Sequence, residues 1–166
     1  MDTAAARSLT VTWDDPMIYA DASKHMSGLE LLRAMLAGEL PPPPVSRLIG
    51  QRAHSVERGR VVFEMTPGEQ HYNPIGAVHG GIITTILDSV MGCAVHSTLP
   101  AGVGYTTLEL KVNFVRAVTH RVGPLRCEGK VVHGGRQVAT ADATLTDLNG
   151  RLYAHATSTC MIFGAT

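Results

Sequence analysis

Between Ile82 and Val95 the chain sets apolar side chains at nearly every helical position (Ile82, Ile83, Ile86, Leu87, Val90, Met91, Ala94 and Val95) and interrupts them with one carboxylate, Asp88. A helix that is apolar all round is usually buried, so the pattern predicts a buried helix opening at Gly80-Gly81. A charge carried into such surroundings needs a partner or a function. Downstream the period drops to two. From Thr107 to Val115, Leu108, Leu110, Val112 and Phe114 alternate with Thr107, Glu109, Lys111 and Asn113, the pattern of a half-buried strand. Leu125–His133 and Gln137–Thr146 flank Gly134-Gly135-Arg136, a hairpin signal, and the turn Asn149-Gly150 leads into Leu152–Phe163. Upstream, Val61–Met65 reads as a strand and Thr66–Ala77 as a loop. A strand, a long helix and an antiparallel run predict an α+β fold, one sheet curled around one helix.

The first 25 residues show no periodicity and are expected to form a flexible arm in which Trp13 and Tyr19 pack locally. Ser27-Gly28-Leu29-Glu30 fits a capping box. Leu29, Leu32 and Leu36 follow at helical spacing, Leu31 and Met35 widen the stripe, and Gly38 is a stop signal. Pro41 to Pro44 cannot continue a helix and are expected to form a stiff extended linker. The reading divides the chain into an N-terminal extension, 1–45, and a principal domain, 46–166.

With 166 residues the chain suits a single core. Its 14 basic and 14 acidic residues balance, which argues against nucleic-acid or membrane-surface partners. The apolar helix is too short to span a bilayer and carries Asp88. No basic start followed by an apolar run marks a secretory signal. Cys93, Cys127 and Cys160 are odd in number and unclustered, as expected of reduced thiols in the cytoplasm. The histidines show no paired ligand spacing, so no metal site is expected. A Gly-x-Ser-x-Gly elbow is absent, and Gly102-x-Gly104 is not completed to a dinucleotide fingerprint.

Val-His-Gly-Gly occurs at 78–81 and again at 132–135. The second copy lies between strands and reads as a turn. The first opens the apolar helix, where free N–H groups and the dipole favour negative charge. A carbonyl lying against the Gly80 N–H would find a donor for a developing oxyanion, with Asn73 orienting water or substrate and Asp88 as base or nucleophile. Gly80 and Asp88, however, are separated by roughly 12 Å of helix at 1.5 Å per residue, whereas a catalytic carboxylate works at about 3 Å. Two antiparallel copies related by a twofold axis would set Asp88 of one beside Gly80 of the other. Plainer readings stand beside these. Asp88 could bond a helix start or a threonine, Gly80 and Gly81 could serve packing, His79 could orient the loop, and Asn73 could be a turn residue before Pro74. Arg136 could be a solvated hairpin charge.

The run Asn73-Pro-Ile-Gly-Ala-Val-His-Gly-Gly with Asp88 downstream resembles the hotdog-fold acyl-CoA thioesterases of the phenylacetate-pathway (PaaI-like) group, over about residues 46–163. The resemblance implies a hotdog fold, assembled as homodimers and dimers of dimers. It also implies hydrolysis of an acyl-CoA to free acid and coenzyme A, with no cofactor beyond the coenzyme A of the substrate. By position, Asn73 and Gly80 of one subunit would hold the thioester carbonyl and water, with His79 and Gly81 beside them. Asp88 of the other would attack or activate water, and Thr107, or Thr106 one residue earlier, would place the attacking group. The hairpin His133, Gly134, Gly135, Arg136, Gln137 and Val138 would follow the nucleotide part of coenzyme A, Arg136 meeting phosphate. Two alternatives stay open: a hotdog protein that binds acyl-CoA without cleaving it, and a hotdog hydratase or dehydratase using His79. The acyl group and the tetramer geometry are not specified by the sequence, nor is the role of residues 1–45, for which a helix covering the pocket mouth is one reading.

Overall fold

Residues 6–164 are described by a computed structural model. They begin with three short helices, α1 (Met17–Ala22), α2 (Gly28–Ala37) and α3 (Pro44–Ile49), followed by strands β1 (Gln51–Glu57) and β2 (Arg60–Met65). The long helix α4 (Gly80–His96) comes next, then β3 (Gly104–Phe114), β4 (Leu125–Gly134), β5 (Val138–Asp147) and β6 (Leu152–Phe163). All six strands form one sheet in the order β1-β2-β4-β5-β6-β3, and every pairing is antiparallel. β1 and β3 are its two edges.

The sheet curls around α4. Ile83, Ile86, Leu87, Val90, Met91, Ala94 and Val95 are buried in one cluster with Phe63, Leu125, Cys127, Ala143 and Leu145 from the strands. Each of the larger side chains among these, valine and upward in size, contributes about 1.5–3 kcal/mol on burial. The backbones of helix and sheet come close at Gly129, where a Cβ would lie 2.7 Å from the Val90 carbonyl oxygen. The helix is not apolar on every face, as the sequence pattern suggested. Gly81 is exposed and Thr84, Thr85, Asp88 and Ser89 are half-buried, forming a polar strip along the side away from the core.

The α2 expectations are met at its ends. Ser27 and Glu30 form the reciprocal capping box, and Gly38 ends the helix with φ 78°. Its buried stripe differs: Leu31 and Leu32 are fully buried while Leu36 is 42% exposed. Three further features depart from the sequence reading. Residues 17–22 are helical rather than part of an arm, although Trp13 stays exposed. Pro44 starts α3 instead of ending a linker, because proline suits the first helical turn. In β3 a bulge between Thr107 and Glu109 takes Leu108, 58% exposed, out of the alternation; Phe114 stays in phase with the half-buried Leu110 and Val112 but is exposed at the strand's end. Residues 1–5 of the expected arm lie outside the described residues.

Candidate active site

The loop before α4 is a small closed hairpin. Tyr72 bridges Val78, the Asn73 N–H donates to the Ala77 carbonyl at 2.7 Å, and the His79 N–H donates to the His71 carbonyl at 2.7 Å. The Val78 N–H ties it to the Val118 carbonyl at 2.8 Å. Asn73 braces the turn from within: its Oδ1 accepts from the Ile75 and Ala77 amides, both at 3.1 Å. The turn role weighed for Asn73 is therefore present, and its Nδ2 is left to other partners.

His79 caps the helix. Its Nδ1 accepts from the Gly81 N–H at 2.9 Å, a bond that requires the neutral ring to carry its proton on Nε2. Its carbonyl accepts from Ile82 at 3.0 Å and Ile83 at 3.4 Å. Four amides at a helix start lack intrahelical partners. Here only that of Gly80 has no acceptor among the described residues. Gly80 also lies under the Phe114 ring, which a Cβ would meet at 3.1 Å.

Eight residues further on, Asp88 accepts a hydrogen bond from Thr107 Oγ1 at 2.9 Å. Thr107 faces the helix because of its register in β3, whereas Thr106 points away and is exposed. The Asp88 charge reaches the neighbouring Cys93. Burial foremost, and that charge second, push the thiol up to about 12, so Cys93 stays protonated. Tyr105 is likewise raised, mainly by burial.

Across the sheet Thr107 pairs with Cys160, and Cys160 with Ala139 at the start of β5. Strands sit about 4.8 Å apart, so the hairpin base lies roughly 10 Å from Thr107. His133, Gly134, Arg136, Gln137 and Val138 are exposed there, and the half-buried Gly135 donates its N–H to the Val138 carbonyl at 2.9 Å.

The chain thus brings Asp88 and Thr107 together, and Asn73, His79, Gly80 and Gly81 together, but not the two groups with each other. Gly80 packs on Phe114 at one end of β3 and Asp88 on Thr107 nearer the other. One further feature involves the N-terminal extension, as a helix covering the pocket mouth would. Beside Asp88, starting at Ser89, lies a cavity of about 260 Å³ whose lining includes Tyr19, Leu32, Gln51, Cys93 and Tyr105. It forms only because the N-terminal helices fold back over α4. No group of three or more His, Cys, Asp or Glu able to hold a metal occurs among the described residues, and no helix there is long and apolar enough to cross a membrane.

A long helix wrapped by a curled antiparallel sheet, with a glycine helix start and one acid on the helix, defines a hotdog fold. The chain belongs to the thioesterase superfamily, which matches residues 75–154. A protein of Saccharolobus solfataricus assigned as an esterase is 31% identical over 112 residues, 68% of this chain and 78% of its own. A Ralstonia eutropha structure, assigned as a thioesterase related to phenylacetic acid degradation, is 32% identical with a TM-score of 0.71, covering 78% of this chain and 98% of that one. A Streptococcus mutans protein, whose structure was solved with acetyl CoA bound, is 30% identical with a TM-score of 0.62 over 68% of this chain and 88% of that one.

Proposed function

We propose that the protein hydrolyses acyl-CoA thioesters to a free acid and coenzyme A, at a site shared between two copies of the chain. The observation that carries this reading is the Asp88 carboxylate, placed on the central helix and fixed by Thr107 at 2.9 Å, in a member of the thioesterase superfamily. A carboxylate held by one hydroxyl keeps its second oxygen for the reaction. The acetyl CoA bound by the Streptococcus mutans relative supports a coenzyme A thioester as substrate.

In this reading the thioester carbonyl oxygen points at the N–H of Gly80 of the partner subunit, which supports the negative charge as the carbonyl becomes tetrahedral. Asn73 of the partner subunit orients the carbonyl and water through Nδ2. Asp88 takes a proton from the attacking water, or itself attacks and is released by water in a second step. Collapse breaks the C–S bond, and the coenzyme A sulfur leaves as the thiol, taking the proton that Asp88 removed from water, or one from solvent where Asp88 itself attacks. The hairpin 133–138 follows the coenzyme A moiety, with Arg136 toward phosphate.

Thiol release from a panel of aryl-acetyl, benzoyl and straight-chain acyl-CoAs tests the reading, with wild type beside Asp88→Asn. We expect wild-type turnover and a loss of about 10²–10⁴-fold in the variant, the usual share of a positioned acid–base group, with dimerisation unchanged. Absence of thiol release from every thioester would sink the proposal. It would leave a binding protein or a hydratase.

A further inference from the structure

Asn73 and Gly80 flank a loop whose own hydrogen bonds close it on itself. The amides of Asn73, Ile75, Gly76 and Ala77 all find their acceptors within residues 73–77. Bonds of that kind fix the shape of the loop but not where it lies against the rest of the chain. Among the described residues, three hydrogen bonds leave the segment 72–78 for a distant part of the sequence, and all three end at Val118 and His120, in the β3–β4 connection.

The first is the Val78 N–H on the Val118 carbonyl at 2.8 Å. The other two meet on the Tyr72 hydroxyl. Its oxygen accepts from the His120 amide at 2.9 Å and lies 2.6 Å from His120 Nδ1. Because the oxygen already accepts the amide, its hydrogen is free for Nδ1, the acceptor in a ring protonated on Nε2. One residue therefore holds the hydroxyl as both donor and acceptor. The two rings stack at 5.8 Å between centroids. The same connection follows directly on Phe114, whose ring lies against Gly80.

We propose that Tyr72 and His120 form a clasp that positions Asn73 and Gly80, making Tyr72 a positioning residue for the thioester carbonyl. The inference rests on the reading that these two groups hold that carbonyl. Asn73 follows Tyr72 directly, and its Oδ1 is committed to the turn, so the direction of Nδ2 is set by the backbone that Tyr72 anchors. The other tether, Val78, lies two residues before Gly80. The clasp sits at the surface, where a hydrogen bond adds little net stability. Its effect falls on placement instead, and a misplacement of about 1 Å costs turnover on the order of 10²-fold.

Amide hydrogen exchange on the full chain, read by mass spectrometry, tests the clasp without any substrate. The Tyr72 ring packs against the core, so Tyr72→Phe keeps that packing and removes the hydroxyl alone. In this variant the peptide covering 73–80 should exchange about tenfold faster, as the loss of two ordinary hydrogen bonds implies, while the sheet and the rest of α4 stay unchanged. Adding His120→Ala should bring no further increase, because both changes break one contact. His120→Asn alone keeps an acceptor near the place of Nδ1 and should exchange at the wild-type rate. In thiol release, Tyr72→Phe should lower kcat about tenfold with KM within about twofold, the mark of a contact felt in the transition state. Unchanged exchange overturns the clasp, and faster exchange with unchanged kcat overturns its part in the reaction. If wild type cleaves no thioester, that result sinks the thioesterase reading, and exchange still decides the clasp on its own.

Discussion

At the scale of single residues, Asp88 and His96, both on α4, make separable predictions. Thr107 holds Asp88 by a single hydroxyl, so Thr107→Val should lower kcat by about tenfold or more, at the cost of one charge-assisted hydrogen bond, while Thr107→Ser keeps most of it. Comparable kcat in the two variants would remove Thr107 from the reaction. His96 makes a different prediction. Burial holds its pKa below 6.5, and burial does the same for His71. On acidification the unfolded chain therefore takes up these protons before the folded one does. The stability of the neutral, buried forms is complete above pH 6.5 and declines as pH falls toward the lowered folded values. Melting temperatures between pH 8 and 5.5 should fall over this window, and His96→Gln should flatten the slope. Asp88 stands out in the sequence because an acid in an apolar helix is a local anomaly, whereas Thr107, with Thr106 beside it, stands out only through the resemblance to the PaaI-like thioesterases. That Asp88 is only half-buried was not legible, since the polar strip around it depends on which side of the helix the sheet leaves open. Gln51 had no signal at all; Ser46, whose Oγ its Nε2 reaches at 3.1 Å, is packed against it only by the turn from α3 into β1.

At the scale of elements, close backbone approaches decide what can change. Gly129 sits where β4 crosses α4, and Gly129→Ala should destabilise by about 1–3 kcal/mol, as overpacking generally does, because the neighbour at 2.7 Å is backbone and cannot rotate away. Denaturant unfolding checks this; an unchanged midpoint would mean the helix can lift without loss. Glycine at this position was readable from the chain only as a break in a strand. Periodicity gave the long helix, the hairpin and three of the four later strands with little displacement, because their faces meet one core and one solvent. It failed at β3, where the bulge at Leu108 lets one residue leave the alternation without any mark in composition. It also missed α3 and β1. Four consecutive prolines look like a linker, yet the last of them occupies a helix start, and β1 lies at a sheet edge with mixed burial and no clean period.

For the whole molecule, the two halves of the proposed site lie apart on one chain, and β3, which lines both, is a free sheet edge. Activity should therefore follow the dimer. Specific activity measured beside sedimentation across a dilution series should fall as monomer appears, and a fully active monomer would exclude the shared site. The same separation has a consequence for inheritance. Gly80→Pro removes an amide hydrogen at a helix position that tolerates proline, and Asp88→Asn disables the other half. On the shared-site proposal, each variant alone would form dimers in which both sites are broken. Mixed at equal amounts and allowed to exchange subunits, half of the dimers carry one of each chain, and in these one site is assembled from two sound halves while the other collects both defects. About a quarter of wild-type activity should return, as pairing by a twofold axis requires. Two inactive copies of the gene, one damaged at the start of the helix and one at its middle, would then restore activity between them.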